Sequence, residues 1–223
     1  MKIVLFDIDG TLISTGGAGT RSLNIAFEEV LGIKEAFKNF EMAGKTDVQI
    51  IKEGLFIHGI KPTFTLLQEL IKHYLKNLDR QMNNNAKHLK PGVPSFLDII
   101  QKLKYPTGLL TGNLENGARI KLEPFGLNSY FRFGAFGSDH EDRRYLLPVA
   151  LARFSRISKY RVPFQQCIVV GDTPRDIACA KPYGAKVIAV ATGPYSFEEL
   201  SKTDADLVVQ NLSETDKILN FII

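Results

Sequence analysis

Asp7 and Asp9 stand two residues apart at the end of an apolar run, Ile3-Val4-Leu5-Phe6, and Gly10 and Thr11 follow them. A run of that length reads as a buried strand, and the glycine marks the turn beyond it. Alternate side chains of an extended segment share a face, so the two carboxylates can converge on one point at the strand tip. Two anions so placed repel one another unless a cation sits between them. Mg²⁺ suits this position, because it takes oxygen ligands from one or two carboxylates and keeps other positions for water and phosphate oxygens. Two further polar segments end apolar runs: Thr111-Gly112-Asn113 follows Leu109-Leu110, and Asp172 and Asp176 follow Cys167-Ile168-Val169-Val170. Positive charge to answer a phosphate is offered by Arg143 and Arg144, just before a long helical pattern.

Elements must bring these segments together. Beyond Pro91 the pattern alternates strands with helices, the mark of a parallel sheet covered on both faces. Strands are predicted over Thr107–Leu110, 133–136, 167–170, Lys186–Val190 and 205–209, with helices near 145–159 and 175–183 in the gaps between them. Ligands of open parallel sheets bind at the carboxyl ends of the strands, where all the polar segments above fall. Between Ala18 and about Leu89 the pattern is instead helical throughout. Leu23, Ala26, Phe27, Val30 and Leu31 share one face, Asp47 is placed to cap a second helix, and Leu67 to Leu78 form the stripe of a third. Residues 79–90, with three successive asparagines, read as a mobile return, and Ser95 as the cap of the next helix. The fold class expected is therefore α/β, a Rossmann-like parallel sheet core (1–15 and 91–223) with an inserted helical cap domain (16–90).

Composition bounds the function. With 44% hydrophobic and 23% charged residues the chain is an ordinary globular protein, not a disordered one. No segment approaches a membrane span and no secretory signal opens the chain, so a cytoplasmic location is the expectation. Cys167 and Cys179 sit in apolar patterns and read as buried small hydrophobes. A net charge of +4 favours small anionic ligands, and no cluster of basic and aromatic residues marks a nucleic-acid surface.

In the order Asp-x-Asp-x-Thr, Thr-Gly-Asn, a basic residue and Gly-Asp-x-x-x-Asp, the chain resembles the haloacid dehalogenase superfamily, in its phosphatase branch with a helical cap after the first motif. The resemblance implies that Asp7 is the nucleophile and Asp9 the general acid and then base. Mg²⁺ would be held by Asp7, the backbone carbonyl of Asp9, Asp172 and, in support, Asp176. Thr111 and the Gly112 amide would hold phosphoryl oxygens, with Thr11 and Asn113 completing the pocket. The family's third motif is usually a lysine, and none occurs between Lys121 and Lys159. Arg143 is the substitute expected by position, with Arg144 close behind; a planar guanidinium supplies the same charge in a different geometry. In the cap, Gly44 permits close backbone approach, Lys45 is placed to swing over the core toward an anionic substrate group, and residues 16–19 form a hinge.

The function expected is a Mg²⁺-dependent phosphomonoester hydrolase of the phosphoglycolate phosphatase kind, acting on a small phosphorylated metabolite through an aspartyl-phosphate. A halide-releasing dehalogenase, a sugar-phosphate mutase and a phosphate-binding module without turnover are the alternatives.

Overall fold

The computed structural model describes residues 2–223. Six parallel strands form one sheet: β1 (Ile3–Phe6), β4 (Thr107–Leu110), β5 (Gly134–Ala135), β6 (Cys167–Gly171), β7 (Lys186–Val190) and β8 (Leu207–Val209). Their order across the sheet is β5-β4-β1-β6-β7-β8. Helices cover both faces. On one face α4 (Val93–Lys102), α5 (Glu115–Leu122) and α9 (Thr215–Ile222) bury Phe96, Leu97, Ala118, Leu122 and Ile218 against Phe6, Leu109 and Val170. On the other, α6 (Leu146–Ser158), α7 (Pro174–Ala180) and α8 (Phe197–Leu200) pack Leu147, Leu151, Ile177 and Leu200 against Leu5, Leu110 and Val169. Burial on both faces explains why the central strands are continuous apolar runs without alternation.

Register decides where the polar segments fall. Phe6 is paired with Leu109 on one side and with Val170 on the other, so β1 lies between β4 and β6 with their carboxyl ends side by side. Asp7, Thr111 and Asp172 leave those three neighbouring ends.

The chain leaves the sheet through β2 (Ile13–Ser14) and returns through β3 (His88–Leu89), which pair antiparallel with Ile13 opposite Leu89. Between them lie α1 (Ala18–Leu31), α2 (Asp47–Ile57) and α3 (Phe64–Gln81). Leu23 and Phe27 of α1, Ile51 and Leu55 of α2, and Leu70, Tyr74 and Leu78 of α3 make a separate apolar cluster, which Leu114 of the core joins.

The first of these helices stops at Gly32 and residues 33–46 are turns and irregular chain before the next. Other local expectations are corrected. The second helix is capped by Thr46, whose hydroxyl accepts from the Gln49 N–H; Asp47 is its first residue and its carboxylate points elsewhere. The fourth begins at Val93 after Gly92, with Pro94 in its first turn, so Ser95 lies inside it. The 79–90 segment is no loose return: α3 runs to Gln81, the Asn84 amide donates to the carbonyls of Gln81 and Thr15, and β3 follows. Side-chain amide bonds hold this segment where composition alone suggested a solvated loop. Cys167 and Cys179 are buried and unpaired. Among the described residues no helix is long and apolar enough to cross a membrane.

Candidate active site

The floor of the site is acidic and buried. One carboxylate oxygen each from Asp7, Asp172 and Asp176 lies within 4.8 Å of the others. Close backbone packing holds them there. Gly10 is left-handed (φ 84°), and a Cβ on it would stand 2.2 Å from Asp172 Oδ2, so only glycine lets the first loop pass this carboxylate. The Thr11 hydroxyl donates to Asp172 Oδ1 at 2.8 Å. Asp176 sits in the first turn of α7, where its Oδ2 accepts from the backbone N–H (3.0 Å) and hydroxyl (2.7 Å) of Thr173.

Two basic side chains meet this floor. Arg143, in a 3-10 turn ahead of α6, is buried; its guanidinium lies 3.0 Å from Asp7 Oδ1, contacts Asp176 Oδ1, and donates to the carbonyls of Leu110 (3.1 Å) and Gly44 (3.2 Å). Arg144 turns outward onto Asp142 and is exposed. The second cation is Lys121, whose Nζ donates to Asp9 Oδ2 at 2.8 Å and to Asn113 Oδ1 at 2.5 Å, with its side chain 6% exposed. Sequence reasoning passed over Lys121. Its signal was its place beside Ala118 and Leu122 on the buried stripe of the helix that follows Thr-Gly-Asn.

Asp9 thus faces a different set of groups from Asp7, although both line one cavity. Its Oδ2 also accepts from the Asn113 amide at 2.8 Å, and that amide donates to the Thr111 hydroxyl oxygen at 2.8 Å. The Thr111 hydroxyl is near enough to Asp7 to favour its charged form.

Charge is unbalanced on the floor. Burial pushes the Asp7 carboxyl up to about 7 against the pull of Arg143, and the charges of Asp176 and Asp9 push the same way as burial. Asp172 is raised well above the usual carboxylate range, by burial and then by Asp176 and Asp7. Buried carboxylates that resist ionisation for want of positive charge, offering hard oxygen donors within reach of one point, fit a divalent cation.

The helical layer closes over this floor. The Asp47 N–H donates to the Gly112 carbonyl (2.8 Å), Asp47 Oδ2 accepts from the Leu114 N–H (2.8 Å), and the Thr46 hydroxyl donates to the Glu141 carbonyl (2.7 Å). Burial raises the Asp47 carboxyl to about 6, against the opposing influence of Lys121 and the Leu114 N–H. Layers meet closely at Gly112, where a Cβ would stand 2.2 Å from the Lys45 carbonyl oxygen. Gly44 and Lys45 line the cavity, but the Lys45 ammonium is held by Glu53 (2.6 Å) and lies over the Phe40 ring, so in this arrangement it does not reach the core as expected. Between the layers lies a cavity of about 280 Å³.

A parallel sheet with an acidic pocket at its central strand ends, roofed by helices inserted after the first strand, is the arrangement of the haloacid dehalogenase-like hydrolases. The family's model matches residues 4–190, and the chain belongs to that family. It is 26% identical over 220 residues to the phosphoglycolate phosphatase of Chromobacterium violaceum, covering 96% of this chain and 94% of that one. It is 24% identical over 221 residues to a candidate pyrophosphatase, PpaX, of Caldanaerobacter subterraneus subsp. tengcongensis, covering 98% and 96%. Among solved structures it shares its fold with CbbY from Rhodobacter sphaeroides, crystallised with phosphate, at a TM-score of 0.77, 18% identity and 96% coverage of both chains.

Proposed function

We propose that this hydrolase cleaves small phosphomonoesters with Asp7 as nucleophile, under a cap formed by residues 16–90. The observation that carries the reading is the convergence of Asp7, Asp172 and Asp176 on one point beside Arg143 and Thr111, at three adjacent strand ends. Relatives named as phosphatases support it.

Phosphoryl transfer is mostly positioning and charge neutralisation, with attack and departure in line. Asp7, Asp172 and Asp176 would hold a divalent ion, Mg²⁺ by the hardness of its donors, with the Asp9 carbonyl as a further ligand. When bound, that ion supplies charge to the phosphoryl oxygens and relieves the repulsion among the carboxylates. Arg143 holds Asp7 in place and adds a fixed positive charge, while Thr111 and the Gly112 amide orient the phosphoryl group. Asp7 attacks phosphorus, the bond to the ester oxygen breaks, and Asp9 gives that oxygen a proton. The aspartyl-phosphate is then opened by water, which passes a proton to Asp9 as it attacks phosphorus; Asp7 is regenerated and phosphate leaves. Lys121 and Asn113 keep Asp9 oriented for both steps.

The test is release of inorganic phosphate from a panel of phosphomonoesters with Mg²⁺ and with a chelator. Release that requires the metal and stops in Asp7→Asn is expected. Turnover that survives either change, or phosphoryl return to the substrate in place of release, overturns the reading.

A further inference from the structure

The cavity wall facing away from Arg143 states what the departing alcohol is. Beyond Asp9 the space is bounded by Thr20, Leu23, Met42, Ile50, Asp47 and Tyr74, all from the helical layer. The cavity, of about 280 Å³, is several times the size of a phosphoryl group and leaves room for the alcohol beside it.

Three cations line the cavity, and each already has an anionic partner. Arg143 is held by Asp7 and Asp176, Lys121 by Asp9, and Lys45 by Glu53, with Phe40 under its ammonium. A carboxylate on the alcohol would have to displace one of those partners or stay unpaired in a desolvated space, and Asp47 would repel it. A hydroxyl meets no such obstacle. Asp47 Oδ2 is taken by the Leu114 N–H at 2.8 Å, whereas Oδ1 has only the Tyr74 hydroxyl, at 3.5 Å, among the described residues. A carboxylate oxygen has room for a further donor, and the Tyr74 and Thr20 hydroxyls can donate or accept. Lys121 faces both Asp9 and Asp47, one ammonium against two carboxylates, so this end of the cavity has no spare positive charge for a carboxylate on the alcohol.

We propose that the substrate is a phosphomonoester of a small alcohol bearing further hydroxyls, received by Asp47 and Tyr74, and that carboxylated or phosphorylated leaving groups are discriminated against. The inference rests on the phosphatase reading above and deepens it. It also separates the chain from the reactions named for its relatives, since glycolate carries a carboxylate and pyrophosphate departs as an anion.

The experiment compares kcat/KM for glycerol phosphate, phosphoglycolate and pyrophosphate in the wild-type protein with Mg²⁺, and repeats the series in Asp47→Asn. Glycerol phosphate should lead each of the others by about 10-fold or more, as expected where a buried polar group of a site is paired by one ligand and left unpaired by another. Asp47→Asn keeps an acceptor for Leu114 but removes the anion, and should narrow the gap to phosphoglycolate by a similar factor, chiefly through KM. Calorimetric titration of Asp7→Asn with glycerol phosphate and phosphoglycolate gives the same ranking without turnover. A preference for phosphoglycolate or pyrophosphate, or an Asp47→Asn ratio equal to wild type, overturns this inference and leaves the phosphatase reading standing. Failure to release phosphate from any ester overturns both.

Discussion

The floor and the roof of the cavity are built on opposite terms. On the floor, Thr11, Thr173, Arg143 and backbone groups fix Asp172, Asp176 and Asp7 within a few ångströms, all of them buried. The roof touches the floor through few polar contacts, centred on Thr46 and Asp47, with Lys52 paired to Glu141 and the Gly44 carbonyl taking a bond from Arg143. Rigid, desolvated, charge-deficient groups suit a reaction whose main demand is electrostatic. With few polar bonds across the seam, where Leu114 adds apolar packing, the roof is tied to the floor less firmly than the floor's own groups are to one another, as suits a site that must admit and release ligands. Under the proposed function, the floor determines which bond is broken and the roof determines whose.

That contrast can be attacked from its strong side first. Asp7→Asn removes the proposed nucleophile, and a loss of turnover on the order of 10⁴-fold or more, by phosphate release, is expected with the fold retained by circular dichroism. Arg143→Ala strips a buried cation from Asp7 and Asp176; leaving buried carboxylates without their partner should cost about 3–5 kcal/mol in denaturant unfolding. Arg143→Lys should recover only part of that, because one ammonium cannot serve two carboxylates and two carbonyls together. Lys121→Gln frees Asp9 to move, and turnover should fall by up to about 10²-fold, more for esters with poor leaving groups than for aryl phosphates. Equal losses on both would return Lys121 to a purely structural part.

The smallest expected effect tests the roof through pH. In the unfolded chain the Asp47 carboxyl ionises near its usual value of about 4. In the folded protein it holds its proton until about 6. Between those values the folded state binds a proton that the unfolded state has lost, so this group's contribution makes stability fall as pH rises through the window. Asp47→Asn abolishes that fall. Relative to wild type it should gain about 2–3 kcal/mol between pH 4 and pH 7 in denaturant unfolding, and a flat difference across that range would show that Asp47 is not desolvated by closure.

Much of this was legible in the chain itself, because buried parallel strands leave uninterrupted apolar runs and their ends carry the polar motifs. Leu109-Leu110 before Thr111 and Val169-Val170 before Asp172 are such cases. What escaped notice depends on long-range partners. Lys121 looks like any lysine of a short helix until the fold sets it against Asp9, a residue 112 positions away. Asp47 looks like a helix cap because its local setting permits that role; Thr46 fills it, and Asp47 is released to reach Leu114 across the seam. The asparagines at 83–85 suggested solvent because nothing nearby in sequence showed the Thr15 carbonyl waiting for Asn84.

Gly112 is a spacer whose thickness sets the clearance between the sheet's strand ends and the helical layer. With 2.2 Å between its missing methyl and the Lys45 carbonyl, the smallest possible side chain would prop the jaws open as a wedge. The middle residue of Thr-Gly-Asn therefore gauges how far the jaws can shut, and alanine, serine or valine there would make a graded set of shims.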